Sequence, residues 1–168
     1  MVPDFRQKKS SRNNQFRAND NSHAFTQASS DDPHRIVFFK RHFEDDPLES
    51  MPGREYLRSC PTEVRIKFQT TLIAVAKGPP KRFAGGGRWE AMHGELTGWF
   101  EVRVEFARTS HHRLFCLIDT EAIDQSRPLL VVVHGGTKAF GTVFKKKFYD
   151  QLTEFGDEYH SRNPRSIA

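Results

Sequence analysis

Gly98-Trp-Phe-Glu-Val-Arg-Val-Glu-Phe106 and His111-His-Arg-Leu-Phe-Cys-Leu-Ile-Asp119 decide the fold of this chain. Both read as alternating strands, and a third apolar strand, Leu129-Leu-Val-Val-Val133, runs into His134-Gly-Gly-Thr-Lys138. If the first two close a hairpin around Thr109, the pleat that buries Phe100, Val102, Val104 and Phe106 sends Trp99, Glu101, Arg103 and Glu105 to the opposite face. Arg103 then stands near Arg113. Like charges opposed across a strand pair repel, so this register points to a partner that brings negative charge, and phosphate is the candidate.

Beyond the strands, Phe144, Phe148, Leu152, Phe155 and Tyr159 recur at spacings of four, four, three and four and predict an amphipathic helix. Before them, Pro61 suits a first helical turn, Glu63 favours the positive helix end, and Val64, Phe68, Leu72 and Val75 extend a second helix to Ala76 or Lys77. Gly78-Pro-Pro80 stops it, and the basic loop from Lys81 to Arg88 leads into a further strand at Arg88 to Met92. Between Pro47 and Leu57 the helical pattern is interrupted by Pro52-Gly53, so a short or broken helix is expected. Arg35-Ile-Val-Phe-Phe39 reads as the short strand that opens the folded part. The predicted order is strand, helix, helix, three or four mostly antiparallel strands, helix. The fold class is α+β, a mostly antiparallel sheet of four to five strands packed against N-terminal helices and a C-terminal helix.

The 168 residues allow one core plus appendages. Residues 1–34 are rich in Ser, Asn, Gln, Asp, Arg and Lys, and are expected to form a disordered or loosely held polar arm. The domain is expected over residues 35–160, and a loosely held polar tail over 161–168. Apolar residues make up 36%, with fifteen phenylalanines, so the core must be rich in aromatic rings. The net charge of +5 favours polyanionic partners. Cys60 and Cys116 form no C-x-x-C pair and read as reduced thiols, unlike a secreted disulfide framework. No apolar run reaches the length of a membrane span and no signal core opens the chain, so a soluble cytoplasmic protein without membrane partners is expected.

Several site classes lack their residues. Gly135-Gly-Thr-Lys138 does not have phosphate-loop spacing, and neither H-E-x-x-H, paired Cys/His ligands nor G-x-S-x-G occurs. No metal site and no cofactor are expected.

The succession of a helical pair, a Trp-Phe-Glu-Val-Arg strand, a His-Arg-Leu-Phe strand and an apolar strand ending in His-Gly-Gly-Thr-Lys resembles the RelE/ParE superfamily of bacterial toxins. The nearest flavour is its HigB-like, phage Gp49-like branch. The resemblance spans about residues 35 to 160. It implies the toxin of a type II toxin–antitoxin system, a ribosome-dependent messenger RNA endoribonuclease that inhibits translation and growth. It also implies a cognate antitoxin, of helix-turn-helix, HigA-like type, that holds the toxin inactive. By position, Arg103 matches the basic residue of the family's central strand, Arg113 the arginine of the next strand, and Lys138 the basic position after the last one. The family's better-studied enzymes carry a tyrosine on the last helix, where this chain has Phe144, which lacks a hydroxyl.

Metal-independent RNA cleavage needs the 2′-hydroxyl deprotonated, the phosphorane charge stabilised and the leaving 5′-oxygen protonated. Arg103 and Arg113 suit the middle task, since a guanidinium offers phosphate a planar, permanently charged fork. Lys138 adds charge. Lys81, Arg82, Arg88 and Lys145 could guide an RNA backbone, and Trp99 could stack a splayed base. For acid–base work the candidates are His111, His112 and His134. His111 and His112 point to opposite faces of an extended segment, so His111 joins Arg113. His134 is expected at a strand end beside flexible glycines. The other reading of the arginines is a salt-bridge ladder with Glu101 and Glu105. Two further functions stay open: a ParE-like toxin that inhibits DNA gyrase, and a degenerate member that only binds its antitoxin.

Overall fold

The computed structural model describes residues 31–78 and 87–168; Lys81, Arg82 and residues 1–30 of the arm lie outside them. The elements in chain order are β1 (Arg35–Phe38), α1 (Pro52–Ser59), α2 (Thr62–Lys77), β2 (Trp89–Ala91), β3 (Trp99–Phe106), β4 (Ser110–Asp119), β5 (Leu129–Ala139) and α3 (Lys146–Ser161). The five strands form one sheet in the order β1-β5-β4-β3-β2, with β1 parallel to β5 and every other pair antiparallel. The α+β class and the antiparallel character expected from sequence are found.

Both faces of the sheet are covered, which explains why β1 and β5 open as unbroken apolar runs rather than alternating ones. On one face Ile36, Val102, Leu114, Cys116 and Val132 pack with Val64, Phe68 and Leu72 of α2. On the other, Val37, Phe115, Leu117, Val131 and Val133 pack with Leu152, Phe155 and Tyr159 of α3. Both cysteines are buried and unpaired. The hairpin joining β3 to β4 turns through Ala107 and Arg108 in left-handed conformation (φ 52° and 56°), the handedness that suits the twist of a tight hairpin.

Four expectations need correction. Pro52-Gly53 does not interrupt a helix; Pro52 starts α1, where its missing N–H costs nothing. His134-Gly-Gly-Thr-Lys138 does not follow the strand but belongs to it, because β5 stays paired with β4 out to Ala139 opposite Ser110. Its glycines serve close approach: a Cβ on Gly135 would sit 1.9 Å from Cδ1 of Tyr56. The C-terminal tail is not loosely held. Phe38 and Ala168 exchange backbone hydrogen bonds at 2.9 and 3.0 Å, Ile167 bridges Phe39, and the Arg165 guanidinium meets the Asp119 carboxylate at 2.8 Å. Nor are the last residues of the expected polar arm loosely held, since Asp32 and His34 are buried and the His34 N–H donates to the Ala76 carbonyl.

Candidate nucleic-acid interface

Three cross-strand rows lie on the α3 side of the sheet. Glu101, Phe115 and His134 form the first, Arg103, Arg113 and Gly136 the second, and Glu105, His111 and Lys138 the third. The first row runs under α3, where Phe115 packs against Phe144 and Phe148. The second and third rows extend toward the β3–β4 hairpin and carry the charged groups. The opposition of Arg103 and Arg113 expected from the pleat is therefore present.

So is the ladder that competes with the phosphate reading. Glu101 receives Arg103 at 2.5 Å and lies 3.6 Å from Nε of Arg113, and Arg103 also pairs with Glu90 on β2. Part of the negative charge that the register calls for is supplied within the chain. Arg113 is only 9% exposed and donates to the His112 carbonyl at 3.1 Å. Burial pulls its guanidinium below the usual range, Glu101 opposes this and Arg103 adds to it. The Arg103 side chain keeps 40% of its surface exposed. Together with Arg113, Lys67, Arg88 and Glu105 it lines a cavity of about 430 Å3 at the β3 edge, four cations against one carboxylate. Three of these cations already meet carboxylates, Lys67 with Glu63, Arg103 with Glu90 and Glu101, and Arg113 with Glu101, so the net positive charge of the lining is smaller than the count.

The histidines separate as the alternation requires. His111 shares the arginine face, with Nδ1 3.5 Å from Glu105, and its ring stacks on Phe140 at 5.1 Å between centroids. His112 points the other way, into a buried network with the Tyr56 hydroxyl at 3.0 Å, Thr137 at 3.1 Å and Ser110 at 3.3 Å. Burial, then the Arg113 charge, lowers its pKa. His134 is not displayed at a strand end. It sits within β5, stacked on Phe148 at 5.0 Å and edge-on to Phe155 at 5.3 Å, and burial lowers its pKa as well.

Trp99 lies on the face expected of it, but that end of the face is covered by α3. The ring is 8% exposed, with Cζ2 2.6 Å from where a Gly156 Cβ would stand. It is a core residue with no surface to offer a base. Lys138 stands opposite His111, its Nζ 5.8 Å from the Phe144 ring centroid. Lys145 is exposed just before α3, and Arg88 is exposed before β2.

One residue near the arginines escaped the sequence reading. Tyr149, in the first turns of α3, is half-buried; burial and then the Glu101 charge raise its pKa, while Arg113 opposes them. It therefore feels the same charges that flank the arginine pair. Phe144, the position expected to hold the hydroxyl, precedes α3 and stacks on Phe148 at 4.3 Å. The one signal for Tyr149 in the sequence is its position beside the apolar stripe, next to Phe148.

Among the described residues no group of three His, Cys, Asp or Glu side chains could hold a metal ion, and no helix is long and apolar enough to cross a membrane. No family model, curated protein or solved structure matches this chain.

Proposed function

We propose that the protein is the toxin of a type II toxin–antitoxin system of the RelE/HigB kind, a cytoplasmic endoribonuclease that cuts messenger RNA on the ribosome and is restrained by a helix-turn-helix antitoxin. The observation that carries the reading is the Arg103–Arg113 row on a partly open sheet face, with His111 and Lys138 in the next row and Tyr149 within electrostatic reach. In this reading the two guanidinium groups stabilise the phosphorane charge, and Lys138 adds to the field. Either His111 or the Tyr149 hydroxyl moves the proton, because both lie on the arginine side while His112 is tied into the opposite core.

The ion pairs of Arg103 and Arg113 with Glu101 and Glu90 favour a second reading, a ParE-like gyrase inhibitor or a member that only binds its antitoxin. Induction of the protein and of an Arg103→Ala, Arg113→Ala variant in bacteria separates the two. New messenger 5′ ends confined to translated copies and lost in the variant support the nuclease. Growth arrest with intact messenger, or no arrest at all, overturns it.

A further inference from the structure

Phe140 is 67% exposed on an ordered turn. Its backbone N–H donates to the Thr109 carbonyl of the β3–β4 turn at 3.0 Å, and Thr142 closes back on Ala139 at 3.2 Å. The ring is held against His111 at 5.1 Å and 21° between planes, so one face is covered by imidazole while much of the remaining surface meets solvent. Lys138 lies across the strand pair from His111, and Arg108 and Lys145 are exposed in the flanking turns. An exposed, pre-positioned aromatic ring beside His111, in a stretch that carries Lys138, Arg108 and Lys145 together with the Glu105 carboxylate 3.5 Å from the imidazole, offers a flat face on which an unpaired base stacks.

We propose that the Phe140–His111 pair is the stacking platform for one unpaired nucleobase of the messenger, beside the Arg103–Arg113 row; this rests on the nuclease reading above. The platform takes over the base contact that Trp99 cannot make from inside the core. It recognises a base by its flat face, which every base has, so it positions the strand without selecting sequence.

The test uses ribosomes programmed with a defined messenger and the full-length protein, with cleavage rates for wild type, Phe140→Ala and Phe140→Trp. A parallel set of messengers carries a single abasic nucleotide walked through the exposed codon. The expected result is a loss of roughly tenfold or more in kcat/KM for Phe140→Ala, retention in Phe140→Trp, and an unchanged thermal midpoint for both. At one abasic position the wild type falls to the level of Phe140→Ala and the difference between them vanishes. If wild type cuts and Phe140→Ala cuts equally well, the platform is wrong and the nuclease reading stands. A loss that is the same on intact and abasic messengers assigns Phe140 to a protein contact and overturns the proposal. If wild type cuts no messenger, the nuclease reading fails first and the platform falls with it.

Discussion

Arg103 and Arg113 face each other directly across β3 and β4, and the Glu101 carboxylate lies against both. Two guanidinium groups in one cross-strand row repel, and the Glu101 carboxylate between them, with Glu90 on Arg103, offsets that repulsion.

Replacing that carboxylate by its neutral isostere exposes the repulsion. Glu101→Gln is expected to lower stability by about 1–2 kcal/mol in urea unfolding at neutral pH. Added pyrophosphate should restore more stability to the variant than it adds to wild type, because an anion that binds only the folded state stabilises by mass action. An equal response of the two proteins would show that phosphate does not reach the arginines.

Tyr149→Phe removes only a hydroxyl and leaves the packing against Phe144 and Phe148 in place. If that hydroxyl transfers a proton in the cleavage step, kcat falls about a hundredfold with little change in thermal midpoint. Full activity in the variant would leave the proton to His111.

Asp119 joins the end of β4 to the C-terminal tail. Burial works against its carboxylate, but Arg165, the Glu121 backbone N–H and the Tyr159 hydroxyl outweigh it and hold the pKa below the usual carboxylate range. A depressed carboxyl contributes stability above its unfolded value near 3.9, and that contribution is lost as pH falls through the lower folded value. Arg165→Met should therefore cost about 2–3 kcal/mol at pH 7, with the gap to wild type closing in strong acid. Urea unfolding across that range measures it, and a gap independent of pH would contradict the assignment.

At Gly135 the Tyr56 ring occupies the space of a side chain. Gly135→Ala is expected to destabilise by about 2–3 kcal/mol through overpacking, and by less in a Tyr56→Ala background. Equal costs in both backgrounds, measured as a double-mutant cycle by chemical denaturation, would mean that the ring moves aside freely.

Much of the frame was legible in the sequence because it follows from local periods. The helical spacing of Val64, Phe68, Leu72 and Val75 predicts α2, and Trp89–Ala91 falls inside the strand expected at Arg88 to Met92. The period of two, with a turn near Thr109, sets Arg103 against Arg113 and sends His111 and His112 to opposite faces. What the sequence alone could not decide is which stretch of a face a distant element covers. Docking of α3 turns Trp99 from a surface ring into a core ring and packs the half-buried His134 against Phe148 and Phe155. The same docking packs Tyr149 against Phe144 and Phe148, and pairing with β2 brings Glu90 to Arg103. The tail pairs with β1 because that edge of the sheet offers free backbone groups, which its own polar composition does not reveal. Periodicity states which side chains share a face; burial summed over residues far apart in the chain determines what lies on top of them.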